Sequence, residues 1–513
     1  MTTKSRPVRG SVHSVPAKTL HSWFTDSVRR TPDHTALVVP GRRLSYAELE
    51  AVSLELAARV TAAIGPRPGR VGLLAAGSVA AYAGYLGVLR SGGTVVPLSM
   101  DYPAARNRQI LELAGVDAVL ADEGRDTALA DGTGTPVITV GEEDVQRALR
   151  ATPTARPADA ADPDGIAYIL FTSGSTGVPK GVPIRHRNLD AFVRHHLARY
   201  RVGPGSRMSQ TFGLTFDPSV FDMFVAWGGG ATLVVPSRSE LLDPVGFVND
   251  QFLTHWYSVP SIVSWVRNAG SLDPGSLPTL RCSLFAGEQL TLEQAQAWSA
   301  AAKGSTVENL YGPTELSITV TAYRLPAEHS AWPRTSNGTV PIGRVYPHLD
   351  HRIDPLTGEL QVRGPQRFGG YLDPADNEGR FCEPGPHSGP APSRQAWYRT
   401  GDRVAVEDGA LVHLGRLDQQ VKIMGRRLEL GDVESAVRQW GGLDEVVVVA
   451  APGPGGELRL TAVYSGVRAE PGELRNRLRP HLPTHMVPTR FVHLDALPLN
   501  ANGKVDRQAC GLL

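Results

Sequence analysis

Between residues 18 and 170, short β-forming runs alternate with helical stretches, and few architectures accept that pattern. The runs are TALVV (35–39), RVGLLA (70–75), TVVPL (94–98), DAVLA (117–121) and PVITV (136–140), with helical segments such as YAELEAVSLELAARVTAA (46–63) between several of them. A strand that rejoins its sheet through a helix runs parallel to its predecessor, so the alternation predicts crossover units on largely parallel sheets. One segment imitates a membrane span: VGLLAAGSVAAYAGYLGVL (71–89) carries no charge over 19 positions. Gly77-Ser78 divides it, which predicts a buried strand, a turn and a core helix. No membrane partner is expected.

At roughly 150 residues per domain, 513 residues make three or so packing units. The 52 Lys+Arg against 51 Asp+Glu leave a net charge of +1, which gives no reason to expect a nucleic-acid partner. Three cysteines, Cys282, Cys382 and Cys510, form neither a disulfide framework nor a CxxC metal site, and so suit the reducing cytoplasm. The opening MTTKSRPVRG is basic but lacks the apolar run of a secretory signal. Residues 1–17 read as a flexible lead-in, ATPTARPADAADPDG (151–165) as a surface linker before the apolar run IAYILF (166–171), and GPHSGPAPSRQA (385–396) as a loop. After about residue 416 the texture changes to a small α+β unit. It comprises KIMGRRLEL (422–430), a helix from Asp432, VVVVAA (446–451) and a helix near 473–482.

The segment richest in chemistry is FTSGSTGVPKGV (171–182), which leaves an apolar run and gathers Ser, Thr, Gly and one Lys. Glycines let backbone N–H groups approach an anion, hydroxyls add donors, and Lys180 adds charge. The GxxxxGK[ST] spacing of a P-loop is absent. The order of residues instead resembles the phosphate loop of the adenylate-forming enzymes. The resemblance continues through LSYAEL (44–49), LRSGGTVVPLSMDYPAAR (89–106), TFDPS (215–219), NLYGPTE (309–315), GELQVRGPQRFGGYL (358–372), YRTGDRV (398–404), GRLDQQVKIMGRRLELGDVE (415–434), LPTHMVP (482–488) and NGKVDR (502–507). The chain is thus similar to the amino-acid adenylation domains of peptide synthetases. Within that family it resembles free-standing L-prolyl-AMP ligases that act on carrier proteins.

The resemblance implies an α/β fold. A large N-terminal core domain of layered, parallel-rich sheets and helices with a β-subdomain would span 18–416, and a small mobile α+β lid domain 417–513. It also implies roles. Thr172, Ser173, Gly174, Ser175, Thr176, Gly177 and Lys180 would hold the β- and γ-phosphates of ATP. Glu315 would hold Mg²⁺, with Thr314 near the α-phosphate; Tyr311 would stack on adenine, Asn309 would read its amino group, and Asp402 with Arg416 would bind the ribose. Lys504 would bridge the substrate carboxylate and the α-phosphate as the main electrophilic stabiliser. Asp418 would be the hinge between an adenylating pose and a thioester-forming pose, in which Lys504 leaves and the 425–430 region approaches the site.

Asp217 in TFDPS corresponds to the aspartate that pairs with the α-ammonium in amino-acid activators, so an amino acid is the expected substrate. Aligning motifs gives the rest of its pocket as Pro218, Phe221, Ser261, Leu284, Ala286, Leu310, Ile318 and Thr319. These residues carry no second charge, which suits a small or medium neutral side chain. L-proline is the first candidate, beside Ala, Ser, Thr, 2-aminobutyrate, Val and β-amino acids. The expected reaction forms aminoacyl-AMP and pyrophosphate, then a thioester on the phosphopantetheine of a discrete carrier protein. A carboxylic- or aryl-acid ligase of the same fold is the alternative, and a non-catalytic binding protein a third reading. Three positions depart from the family pattern: His413 and His485 in place of aromatic Tyr, and Met424 in place of Arg. The pair His195-His196 is expected on a helix surface, and His186 at the passage from a loop into that helix.

Overall fold

The computed structural model describes residues 16–66, 69–131, 133–151, 160–172, 178–385, 387, 389, 391–418, 420–443, 445–453, 458–499 and 505–513. The lead-in up to residue 15 and residues 152–159 of the expected linker lie outside these, as do 386, 388 and 390 of the second loop.

The alternating pattern builds two sheets. In the first, Val137–Val140, Ala118–Asp122, Arg70–Leu74, Thr94–Pro97 and Ile166–Thr172 pair in parallel, and Lys180–Arg185 closes the edge antiparallel. The uncharged stretch after residue 70 is, as its sequence predicts, a strand followed by the helix Val79–Arg90, every residue of which is buried. A helix apolar all round belongs inside a layered α/β core. Helix Tyr46–Ile64 packs beside it and opens on a capping box in which Ser45 and Glu48 satisfy each other's backbone N–H groups.

The second sheet has nine strands. Its centre runs parallel through Thr306–Tyr311, Cys282–Phe285, His255–Ser258, Arg207–Ser209, Thr232–Val234 and Thr35–Val39, with antiparallel strands at both edges. A five-stranded antiparallel unit follows, built on the long strand Trp397–Glu407. Past Arg416 the chain makes the hairpin Gln420–Ile423/Arg426–Glu429, then a three-stranded sheet with its own core around Val433, Val448, Leu460 and Leu474. The fold is thus α/β, with a large N-terminal part and a small α+β C-terminal part.

The histidine expectation fails. His196 is fully buried in helix His186–Tyr200, where Leu189, Phe192, Val193, His196 and Tyr200 recur at helical spacing and face the core. His195 lies beside it against Tyr346, its ring 4.3 Å away. His186 opens the helix, and its Nδ1 accepts the backbone N–H of Leu20.

Candidate active site

Three neighbouring parallel strands, His255–Ser258, Cys282–Phe285 and Thr306–Tyr311, set Ser258 beside Phe285 and Phe285 beside Asn309, the third strand running on to Tyr311. The C-terminal edge of such a sheet is where α/β proteins place ligands. Ser261, Leu284, Ala286, Leu310 and the turn Thr314–Leu316 all lie at or just beyond that edge. Across from them the buried helix Pro218–Gly229 begins with proline at its first position, which fixes Asp217 at its entrance. Of the residues expected to line the pocket, Phe221, Leu284, Leu310, Ile318 and Thr319 are each at most 2% exposed, Pro218 and Ala286 are buried, and Ser261 is half-buried.

Asp217 is 4% exposed, and its Oδ2 has no hydrogen-bond partner among the described residues. Burial drives its carboxyl up to about 7, against the pull of the Thr314 hydroxyl and of Lys422. A carboxylate held this way is short of one cation.

Asp402, from Trp397–Glu407, gathers a second cluster. It accepts from the Tyr311 hydroxyl at 2.6 Å and from Arg416 at 3.0 Å, and lies 3.1 Å from the His413 ring. Burial opposes its charge, but the His413 hydrogen bond and the Arg416 guanidinium prevail and hold it well below the usual carboxylate range. The His413 ring lies beside that of Tyr311 at 5.9 Å. Asn309 donates to the carbonyls of Val340 and Pro341, which leaves its buried Oδ1 a fixed acceptor with no partner among the described residues.

Glu315 is the third centre and is fully buried. Its carboxylate receives Arg427 at 2.9 and 3.1 Å and the Tyr371 hydroxyl at 2.6 Å. Burial raises its proton affinity, but the Arg427 charge overrides that and keeps it ionised. Arg427 comes from the hairpin Gln420–Glu429, whose turn is inserted between the two parts of the chain. There the Gly425 N–H donates to Glu288 at 2.9 Å. Gly425 sits at φ +74°, and a Cβ on it would stand 2.3 Å from Val259 Cγ1, so only glycine lets the turn seat. The 425–430 region thus touches the large part of the chain through Gly425 and Arg427. A small cavity beside it is lined by Tyr102, Arg106, Phe171, Asp217, Arg427 and His485, among others.

The other candidates are distributed as follows. Thr172 ends its strand opposite Lys180, and Lys180 pairs with Asp376 at 2.8 Å. Asp418 is gripped by Arg416, which donates to both of its oxygens at 2.6 and 2.8 Å. Met424 is exposed at the hairpin turn, and His485 lies 3.1 Å from Arg426. Ser173, Gly174, Ser175, Thr176, Gly177 and Lys504 lie outside the described residues. Sequence reasoning missed Tyr371, which follows a Gly-Gly step in a strand-free loop, and Arg427 as the specific partner of Glu315.

For a divalent cation, the described residues hold no cluster of three or more His, Cys, Asp or Glu. Glu315 is a single buried carboxylate whose need for a cation Arg427 meets here. That environment fits an ion that takes one protein oxygen and completes its shell with phosphate and water.

Comparison with known proteins agrees with this geometry. A family model described as AMP-binding enzyme matches residues 24–372, and one described as AMP-binding enzyme C-terminal domain matches 432–504. The chain is 37% identical over 509 residues to the phosphinothricin tripeptide synthetase PhsC of Streptomyces viridochromogenes, covering 96% of this chain and 45% of PhsC. It therefore spans less than half the length of that relative. Among solved structures, IdnL7 is 40% identical with a TM-score of 0.70, covering 97% of this chain and 99% of IdnL7. The Vibrio cholerae adenylation domain AlmE, in complex with glycyl-adenosine-5′-phosphate, is 28% identical with a TM-score of 0.82, covering 98% and 99%. No described helix is long and apolar enough to cross a membrane. With both family models matched in order around one cleft, the chain belongs to the AMP-binding enzymes, and its relatives include the adenylation domains of nonribosomal peptide synthetases.

Proposed function

We propose that the chain activates a small or medium neutral amino acid with ATP to aminoacyl-AMP and pyrophosphate, then passes the aminoacyl group to the phosphopantetheine thiol of a discrete carrier protein. The observation that carries the amino-acid reading is the buried Asp217 oxygen that finds no hydrogen-bond partner among the described residues. An α-ammonium supplies the missing charge, whereas an acid without the amine leaves that oxygen orphaned. AlmE holds an aminoacyl adenylate in the same fold, which supports the reading.

The pocket's hydroxyls narrow the side chain. Thr319 Oγ1 is engaged with the Tyr346 hydroxyl at 2.8 Å, so at that position the wall offers a methyl rather than a free hydroxyl. That ranks apolar side chains first, and L-proline remains the leading candidate.

In this scheme Asn309 and Tyr311 receive adenine, with the free Asn309 oxygen accepting from its amino group, and Asp402 with Arg416 takes the ribose. Thr172 to Lys180 and Thr314 hold the phosphates. Lys504 neutralises charge between the carboxylate and the α-phosphate. Glu315 would hold Mg²⁺, which when bound offsets phosphate charge as pyrophosphate departs. The boundary between core and lid falls at 416/417, with Asp418 as hinge. Once the adenylate has formed, the hairpin carrying Gly425 and Arg427 docks as seen here and frames the cavity beside Asp217 for the incoming thiol.

The test is ATP–pyrophosphate exchange across a panel of amino acids and of carboxylic acids lacking the amine. Exchange is expected with small neutral amino acids, to need far more amino acid in Asp217→Asn and to be lost in Lys504→Ala, each with an unchanged melting temperature. Exchange driven only by acids lacking the amine would replace this reading with the carboxylic-acid ligase.

A further inference from the structure

Ser317 and Ile318 both have left-handed backbones, at φ +60° and +78°. For a β-branched residue that conformation is a true outlier and persists only where the surroundings impose it. Ile318 and the adjoining Thr319 form one wall of the amino-acid pocket, so whatever imposes the turn shapes the pocket.

Gln366 does so. It is fully buried, and its Nε2 donates to the carbonyls of Leu316 at 3.1 Å, Ser317 at 3.3 Å and Thr319 at 2.8 Å. Its own backbone carbonyl accepts the Ser317 hydroxyl at 2.7 Å. Three converging carbonyls admit only the amide's NH₂ end. The Oε1 end then faces His348 Nε2 at 2.6 Å, which makes that nitrogen the N–H donor and locks the amide against a flip. The other side of the turn is also crowded: a Cβ on Gly312 would stand 2.5 Å from Thr319 Cα. The turn is thus wedged between the end of a strand and one glutamine side chain.

We infer that Gln366, oriented by His348, is a positioning residue that sets the shape of the amino-acid side-chain pocket by clamping the turn from Leu316 to Thr319. The inference rests on reading the Asp217 pocket as the amino-acid site. Gln366 makes no hydrogen bond to Asn309, Tyr311 or Asp402, so its larger effect falls on the amino acid.

The experiment compares wild type with Gln366→Met, which keeps the side chain's length and removes both donors, in amino-acid-dependent ATP–pyrophosphate exchange. The expected result is a rise of roughly tenfold or more in KM for the preferred amino acid, with KM for ATP within about twofold. The ranking of neutral amino acids is also expected to flatten. An unchanged amino-acid KM and ranking, or an equal shift in both KM values, would overturn the proposal. Should Gln366→Met yield no folded protein, His348→Phe decides: it removes the donor that anchors the Oε1 end, so the same split in smaller degree is expected and its absence overturns the clamp. If wild type shows no exchange with any amino acid, the amino-acid reading itself fails, a result separable from every variant's.

Discussion

On the proposed reading Asp217 decides what enters the pocket, and its titration makes that decision measurable. In the free site burial holds the carboxyl near about 7, while an ammonium binds only the ionised form. Below that value each amino acid bound must displace a proton from Asp217; above it none is displaced. The apparent KM for the amino acid is therefore expected to rise about tenfold per pH unit as pH falls below about 7, and to level off above it. KM for ATP should not follow. Asp217→Asn is expected to raise the amino-acid KM roughly 100-fold or more and to abolish the slope. Exchange kinetics between pH 5.5 and 8.5 check both, and a flat wild-type profile would remove Asp217 from ammonium recognition.

The elements were legible to different degrees. Strands such as 35–39, and the helix at 46, stand in the sequence because apolar alternation and capping residues are local signals. Motif order put expected pocket positions such as Leu284 and Leu310 on strands that the structure pairs in parallel. Gln366 was not legible: a polar residue between Pro365 and Arg367 has no periodicity, and its burial depends on a turn about fifty residues earlier in the chain. His196 was legible in principle, since it continues the stripe of Leu189, Phe192 and Val193; reading it as a polar residue hid that. The hairpin Gln420–Glu429 announces its turn through Gly425, but nothing local tells where the turn docks. Its seat against Val259 and Glu288 gives the prediction at this scale. Gly425→Val adds a side chain where there is no room and strains a left-handed backbone by about 1–2 kcal/mol. The variant should keep amino-acid-dependent exchange, which on the proposed scheme precedes docking, and lose at least tenfold in aminoacyl transfer to a carrier's thiol. Equal loss in both half-reactions would mean that the hairpin serves folding rather than transfer.

Across the whole molecule, Glu315 would on the proposed scheme link the pose of the C-terminal part to the nucleotide. A fully buried carboxylate left without its cation costs about 3–5 kcal/mol, so Arg427 cannot withdraw unless another positive charge arrives. On the proposed scheme that charge accompanies ATP, which makes hairpin docking and Mg²⁺–ATP binding mutually exclusive at one residue. Linkage then runs both ways. Mg²⁺–ATP should favour the undocked hairpin, seen as faster amide hydrogen exchange over 420–429 than in the nucleotide-free chain, with the core strands unchanged. Removing the competitor should favour the nucleotide: Arg427→Ala is expected to show that faster exchange without ligand and to lower the apparent KM for Mg²⁺–ATP several-fold, while transfer to the carrier slows. A neutral partner for Glu315 separates charge from bulk, so Arg427→Gln should behave like the alanine variant, and Arg427→Lys like wild type. If Arg427→Ala instead raised KM for Mg²⁺–ATP and left hydrogen exchange over 420–429 unchanged, Arg427 would be a nucleotide ligand rather than its rival, and the two poses would not be coupled through Glu315.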